Sequence, residues 1–222
     1  MSLRSLRAYC IAYIVGEAQL RGVTQLDNIV YLVAEECSII KTFTDTLSPL
    51  ADIHVEGMRD PVDIVACRYD RQLYVAANHS CIWRVSVDTQ AYVKWLPTES
   101  SADKFRVEKL SLTSRGLLVT SPYPPRLFEY SKTDKELLRV VKMPEYVDRM
   151  IHGVETTRGT FVVSHSQTKD LPENELKLAV SEMFSYYQLL SAPLPQHSLC
   201  VRVCVLVLPT KRGHYRQETS NV

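Results

Sequence analysis

The chain has 222 residues, of which 45% are hydrophobic and 23% charged, and its formal net charge is +1 at pH 7. This length and composition are typical of one globular domain with a substantial core. The near-neutral charge excludes a general electrostatic attraction to nucleic acid or to anionic membranes, although a local basic face is compatible with it.

Residues 1–22 form a leading segment. Arg4 and Arg7 precede a short apolar run, residues 8–15, that resembles the hydrophobic region of a signal peptide. Two tyrosines interrupt this run, so we interpret the segment as a partial strand or a frayed lead-in, with secretion as the alternative.

The clearest structural unit lies at residues 71–86. Two short stretches rich in β-branched and aromatic residues, 73–76 and 81–85, flank the polar turn Asn78-His79-Ser80. This pattern predicts two strands joined by a tight turn.

The same strand pair recurs along the chain. It returns upstream at residues 31–34 and 38–42, an offset of 42 residues, and downstream at 115–119 and 126–131, an offset of 44 to 45. Its first strand appears again at 158–163. An internal period of this length indicates a repeat architecture.

Two further strands complete each unit. One precedes the pair, at residues 62–67, 107–113 and 147–154, and one follows it, at 91–96 and 137–143. Four short strands every 42 to 47 residues predict the blades of a β-propeller, because a lone four-stranded meander cannot cover its own apolar face and must stack on the next. The predicted fold class is therefore all-β.

The blade residues resemble those of a known class. The stretch 60–64, Asp-Pro-Val-Asp-Ile, followed by Leu-Tyr-Val-Ala at 73–76 and Ile-Trp-Arg-Val-Ser at 82–86, resembles the NHL-repeat propellers over residues 23–165. Relatives of that kind usually close with six blades. The resemblance implies architecture, and it assigns no functional residue.

The predicted organisation has three parts. After the leading segment, propeller blades occupy residues 23–187 in four units, and residues 188–222 form a divergent C-terminal segment with a polar tail from Lys211. In the fourth unit, residues 175–187 are predicted as the third strand, with a short amphipathic helix as the alternative. The apolar run 198–208 is predicted as a strand.

Four units leave two hypotheses for the ring. In the first, the chain is an incomplete propeller that a second copy or a missing segment completes, since an open arc exposes two blade faces. In the second, the run 198–208 closes a compact four-bladed ring.

The six cysteines, at positions 10, 37, 67, 81, 200 and 204, contain no Cys-x-x-Cys pair and are interpreted as reduced, mostly buried thiols. They favour a reducing, cytoplasmic location. Asn78-His79-Ser80 also matches a glycosylation acceptor, which matters only if the protein is secreted. The spacing of Cys200 and Cys204 is permissible for a zinc site, but the nearby His197 and His214 are too far apart, so zinc is not favoured.

Candidate chemistry is sparse. Asp63, Glu108 and Asp148 fall near the start of the first strand in three successive units, where six-bladed hydrolases would place calcium ligands, but solvated carboxylates are the favoured interpretation. Ser164-His165-Ser166 pairs a nucleophile type with a base, yet neighbouring strand residues point to opposite faces. The chain has no Gly-rich phosphate loop and no Gly-x-Ser-x-Gly elbow. We therefore predict no catalytic residue, no metal site and no cofactor.

Aromatic residues near turns are candidate anchors for a peptide. Trp83, Tyr123 and Tyr130 lie at or near loop ends, with packing between blades as the favoured role of Trp83. Three prolines, at 122, 124 and 125, predict a stiff turn around Tyr123. The terminus Ser220-Asn221-Val222 matches a PDZ-binding pattern.

The favoured function is a non-enzymatic scaffold that binds a protein or peptide on its loop face. The alternatives are a calcium-dependent six-bladed hydrolase or lactonase and, least favoured because of the charge, an RNA-binding propeller. Self-association through open blade faces is a further expectation, and no membrane partner is expected.

Overall fold

The computed structural model describes residues 19–35, 37–97, 106–145, 147–157, 159–167 and 204–208. In this part of the chain the regular elements are fifteen β-strands. The described residues include no helix that is both long and apolar enough to traverse a lipid bilayer.

The strands form four antiparallel sheets, each with its strands side by side in chain order. Sheet I contains β1 (Leu20–Leu26), β2 (Ile29–Ala34), β3 (Ile39–Thr44) and β4 (Ile53–His54). Sheet II contains β5 (Pro61–Cys67), β6 (Gln72–Ala77), β7 (Cys81–Ser86) and β8 (Tyr92–Pro97). Sheet III contains β9 (Lys109–Leu112), β10 (Gly116–Ser121), β11 (Arg126–Ser131) and β12 (Leu137–Lys142). Sheet IV contains β13 (Val147–Glu155), β14 (Phe161–Gln167) and β15 (Cys204–Leu208).

The sheets stack face to face in chain order, as the repeat predicted. The strands β1, β5, β9 and β13 pack against one another in sequence, which makes them the inner strands of four consecutive blades. Each interface has its own apolar core: one cluster joins sheets I and II, a second joins II and III, and a third joins III and IV. The repeated pattern therefore buries apolar side chains between neighbouring blades.

The turn at Asn78 shows how local sequence sets the register of a blade. Asn78 and His79 have φ angles of 51° and 50°, and the amide of Ser80 donates to the carbonyl oxygen of Ala77 at 3.2 Å. Two successive positive φ angles define a type I′ turn, whose twist suits a two-residue hairpin. The predicted turn is confirmed.

Close contact between the first two inner strands requires a glycine. A Cβ atom built on Gly22 would lie 2.8 Å from the backbone nitrogen of Ile64 and 3.0 Å from Cα of Asp63. Both atoms belong to the backbone of β5, so neither can rotate away. The absence of a side chain at Gly22 lets β1 approach β5.

The predicted blade strands match the observed ones, with differences at the ends. β1 begins at Leu20, within the predicted leading segment, and residues 1–18 lie outside the described part. In sheet IV the strand that pairs with β14 is β15, from the apolar run, and it takes the position that was predicted for residues 175–187. Residues 175–187 and the tail from Lys211 lie outside the described residues.

Candidate functional site

The blades present two faces that carry turns. Because neighbouring strands are antiparallel, the start of each inner strand lies on the same side as the turn between the second and third strands. We call this side the upper face; it carries the turns at 78–80 and 122–125 and the starts of β5, β9 and β13. The lower face carries the turns at 68–71 and 132–136.

Four polar side chains meet on the upper face, and we call them the upper cluster: His79, Arg106, Glu108 and Arg149. Oε2 of Glu108 lies 3.3 Å from Nε of Arg106 and 3.4 Å from Nδ1 of His79, and Oε1 lies 3.7 Å from Nη2 of Arg149. These are ion-pair distances, but Oε2 is buried and has no hydrogen bond of good geometry. The cluster thus combines three blades and leaves both arginines half-exposed.

The backbone holds the upper cluster in place. The amide of Val107 donates to the carbonyl oxygen of His79 at 2.8 Å, which ties the β6–β7 turn of sheet II to the start of β9. The His79 ring lies between two partners: Nε2 is 2.8 Å from Nη2 of Arg106, and Nδ1 is 3.3 Å from the carbonyl oxygen of Val107. Arginine can only donate, so these contacts assign the ring proton to Nδ1.

A second group, the inner cluster, lies on the inner strands and contains Asp63, Lys109 and His152. Nζ of Lys109 lies 3.2 Å from Oδ1 of Asp63, 3.2 Å from the carbonyl oxygen of Arg21 and 3.3 Å from that of Val62. Oδ2 of Asp63 accepts from the amide of Leu110 at 2.8 Å. One ammonium group therefore links β1, β5 and β9.

Burial controls the ionisation of the inner cluster. Desolvation raises the pKa of Asp63, while Lys109 and the Leu110 amide act in the opposite direction. Desolvation also lowers the pKa of His152, which outweighs the attraction of Asp63. His152 is therefore neutral at pH 7, and its buried Nε2 has no hydrogen-bond partner among the described residues. Lys109 and His152 were not predicted as site residues, because only the packing of β9 and β13 beside β5 brings them near Asp63.

The three carboxylates considered as calcium ligands do not converge. Asp63 belongs to the inner cluster, Glu108 to the upper cluster, and Asp148 is exposed. Within the described ranges, no group of three or more His, Cys, Asp or Glu side chains has the arrangement of a metal site. The cations beside Asp63 and Glu108 are side chains of the protein itself.

The three aromatic candidates have different environments. Tyr130 is buried in the core between sheets II and III, and Trp83 packs on the core between sheets I and II with its ring against Tyr92. Tyr123 is 51% exposed, within the proline-rich upper turn. On the lower face, Tyr69 is 93% exposed, although it was not predicted as an anchor.

The Ser164–His165 pair is not brought together as a dyad. The hydroxyl of Ser164 donates to the carbonyl oxygen of His152 at 3.3 Å, while His165 is buried. Alternation along β14 places their side chains on opposite faces of the sheet. The Ser166 side chain lies outside the described ones.

An open pocket of about 420 Å³ occupies the upper face between sheets I and II. Its lining includes the thiol-bearing Cys37 together with Gly57, Arg59 and Asp60. Cys37, Cys67 and Cys81 are not in disulfide bonds, and Cys67 and Cys81 are buried; the other three cysteines lie outside the described side chains.

A charged network joins sheets III and IV on the lower face. The fully buried Glu129 accepts from Nη2 of Arg115 at 2.8 Å, from Nε of Arg139 at 2.6 Å and from the Thr113 hydroxyl. Arg139 in turn lies over the Phe161 ring of β14, 4.3 Å from its centroid. Thr113, Arg115 and Arg139 belong to the same blade as Glu129, and Arg139 also donates to Oε1 of Glu155 on β13 at 3.1 Å. The network therefore stabilises the interface between sheets III and IV through Arg139.

Comparison with solved structures identifies the fold as a β-propeller. The chain is similar to the hydrazine synthase of Kuenenia stuttgartiensis (TM-score 0.57, 13% identity, 70% of this chain and 46% of that one). It is also similar to the Pan2 WD40 domain of Neurospora crassa (TM-score 0.53, 14% identity, 70% and 44%). A third similar structure is the WD40 β-propeller domain of Doa1 (TM-score 0.53, 14% identity, 66% and 48%).

These similarities concern architecture alone, because the identities are 13% to 14%. The chain spans less than half the length of each of these structures. No family model matches the sequence, and no curated protein matches it.

Proposed function

We propose that the chain is a non-catalytic β-propeller scaffold, of a kind similar to the NHL class, that binds a protein or peptide on its upper face. The observation that carries this proposal is Tyr123, whose side chain is 51% exposed in a turn that contains three prolines. A large aromatic surface on a stiff turn loses little conformational entropy when a partner covers it.

The upper cluster also favours the upper face as the binding surface. Arg106 and Arg149 are each about half-exposed, and both present guanidinium groups beside the partly buried Glu108. Tyrosine and arginine are enriched at the centres of protein interfaces, where they combine apolar area with directed hydrogen bonds. Tyr123 would supply the apolar contact, and the two arginines would supply the directed contacts.

A catalytic role receives less support from the described residues. The buried Asp63 carboxylate is held by Lys109 and the Leu110 amide of the neighbouring blade. The buried Glu129 carboxylate is held by two arginines and a threonine hydroxyl of its own blade. This pairing occupies both oxygens of each carboxylate and leaves neither free for proton transfer.

The experiment is a comparison of two matched tyrosine variants. A random peptide library displayed on phage is selected against the unchanged protein, and the affinity of each selected peptide is measured for Tyr123→Ala and for Tyr69→Ala. We expect a loss of tenfold or more with Tyr123→Ala and no loss with Tyr69→Ala, which removes a more exposed tyrosine from the lower face. The reverse pattern would place binding on the lower face and contradict the proposal.

A further inference from the structure

The lower end of the interface between sheets II and III contains a cysteine, a lysine and an aspartate in mutual contact. Cys67, the last residue of β5, is 2% exposed. Its Sγ lies 3.2 Å from Oδ2 of Asp70 and 3.2 Å from Nζ of Lys132, and Nζ of Lys132 lies 3.3 Å from the same carboxylate oxygen. Lys132 comes from the β11–β12 turn, so the contact joins two blades.

The arrangement gives the thiol both a proton acceptor and a positive neighbour. The Asp70 carboxylate accepts the hydrogen bond from Sγ, and the Lys132 ammonium would stabilise the thiolate. Burial lowers the pKa of Lys132, but its contacts with Cys67 and Asp70 outweigh burial and raise it, so the amine begins as an ammonium group. Both Lys132 and Asp70 are partly exposed, with 21% and 31% of their side-chain surface accessible, so a peroxide would reach the sulfur from their side of the interface.

We propose that Cys67 and Lys132 form a reversible sulfur–nitrogen cross-link, a sulfenamide, when a peroxide oxidises the thiol. Sulfenic acids condense with nitrogen nucleophiles to sulfenamides, and here the amine nitrogen is already in contact with the sulfur. The inference does not depend on the function proposed above.

The chemistry takes place in two steps. In the first, the thiolate attacks one oxygen of hydrogen peroxide, the O–O bond breaks, and the departing hydroxide takes a proton from the Lys132 ammonium to leave as water. The thiol proton has passed to Asp70. Sulfur is oxidised by two electrons to the sulfenic acid, and Lys132 is now a neutral amine.

In the second step the Lys132 nitrogen attacks the sulfur, the S–O bond breaks, and hydroxide leaves. It takes the proton of Asp70 or of the attacking nitrogen to form the second water. Overall, a thiol, an ammonium group and hydrogen peroxide give the S–N bond, two waters and one proton released to solvent. Thiol reductants reverse the reaction by displacing the amine from sulfur.

Peptide mapping tests the cross-link directly. The folded full chain is treated with hydrogen peroxide, digested with trypsin without reductant and analysed by mass spectrometry. We expect the peptide of residues 60–68 joined to that of residues 127–135, uncleaved after Lys132, with a mass two hydrogen atoms below the sum of the two. Treatment with dithiothreitol should return the two separate peptides.

Two variants make the result specific. Lys132→Arg keeps a positive charge beside the thiol but lacks a nucleophilic amine, so we expect no cross-link and a sulfenic acid at Cys67 that dimedone traps. Cys37→Ser removes a partly exposed thiol elsewhere and should leave the cross-link unchanged. The proposal is overturned if Cys67 is recovered unmodified, or as its sulfinic acid, at peroxide concentrations that oxidise Cys37.

Discussion

The ammonium group of Lys109 lies 3.2 Å from Oδ1 of Asp63 and is shared with carbonyl oxygens on two inner strands. Asp63 is buried and Lys109 is partly buried, and the second carboxylate oxygen accepts a hydrogen bond from the backbone of β9. The inner strands of three blades are therefore held together by one ion pair and its hydrogen bonds.

Replacement of Lys109 by methionine should destabilise the fold, because it leaves the Asp63 carboxylate buried without its counter-charge. Removing one partner of a buried ion pair costs about 3 kcal/mol or more. Urea denaturation at neutral pH measures the loss. The double variant Asp63→Asn with Lys109→Met should recover part of it, and equal stability of the two variants would contradict this account.

The same substitution should change how stability depends on pH. Burial already raises the pKa of Asp63 in the folded state, and Lys109 opposes that rise, so Lys109→Met raises the pKa further. A carboxyl group whose pKa is raised in the folded state destabilises the fold while it is ionised, so the defect should shrink as the pH falls from neutral towards the unfolded-state pKa of about 3.9. A defect that stays constant over this range would contradict the prediction.

Glu129 should show the opposite dependence. Burial acts to raise its pKa, but hydrogen bonds from Thr113 and Arg115 and the charge of Arg139 outweigh burial and lower it. A carboxyl group whose pKa is depressed in the folded state stabilises the fold at pH values above its unfolded-state pKa. That contribution is lost as the pH falls through its folded-state pKa.

We therefore expect Glu129→Gln to cost about 3 kcal/mol near neutral pH, with the difference from the unchanged protein disappearing in acid. Urea denaturation over a pH series measures both. The Lys109→Met series is the matched comparison, because both variants remove one charge from a buried pair. A cost that grows as the pH falls would contradict the assignment.

Addition of a methyl group at Gly22 should separate the first two blades. The new Cβ would meet the backbone nitrogen of Ile64 at 2.8 Å, which only a shift of β1 away from β5 can relieve. We expect Gly22→Ala to cost about 2 kcal/mol by thermal or urea denaturation. The neighbouring Val23→Ala, at an exposed position of the same strand, should change stability by less than about 0.5 kcal/mol.

Calcium should not stabilise the protein. Asp63 and Glu108, two of the three carboxylates at the calcium-ligand positions, are each at ion-pair distance from basic side chains. A calcium site would raise the Tm, because free ligand 100-fold above its Kd stabilises the folded state by about 2.7 kcal/mol. We instead expect the same Tm by differential scanning fluorimetry in about 5 mM calcium and in about 5 mM EDTA. A rise of several degrees in calcium would revive the hydrolase alternative.

The repeat was sufficient to predict the blades, because strand periodicity and turn residues are local properties. The recurrence of Leu-Tyr-Val-Ala and the turn at Asn78-His79 predicted sheet II almost to the residue, since alternate residues must face neighbouring blades. The number of blades in a complete ring stays a prediction, because the length of the repeat does not specify how many repeats close a ring. Self-association also stays a prediction.

The polar clusters depended on tertiary structure. Asp63 attracted attention as a calcium ligand, but its partner Lys109 is 46 residues away and meets it only because β5 and β9 are adjacent inner strands. In the same way, Cys67 and Lys132 are 65 residues apart and meet across a blade interface. The pattern of apolar, β-branched and turn residues is a local property of the chain, and it was enough to place the strands of the first three blades. Which charged side chains meet depends on how the blades stack, because contacts across an interface have no local signature in the chain.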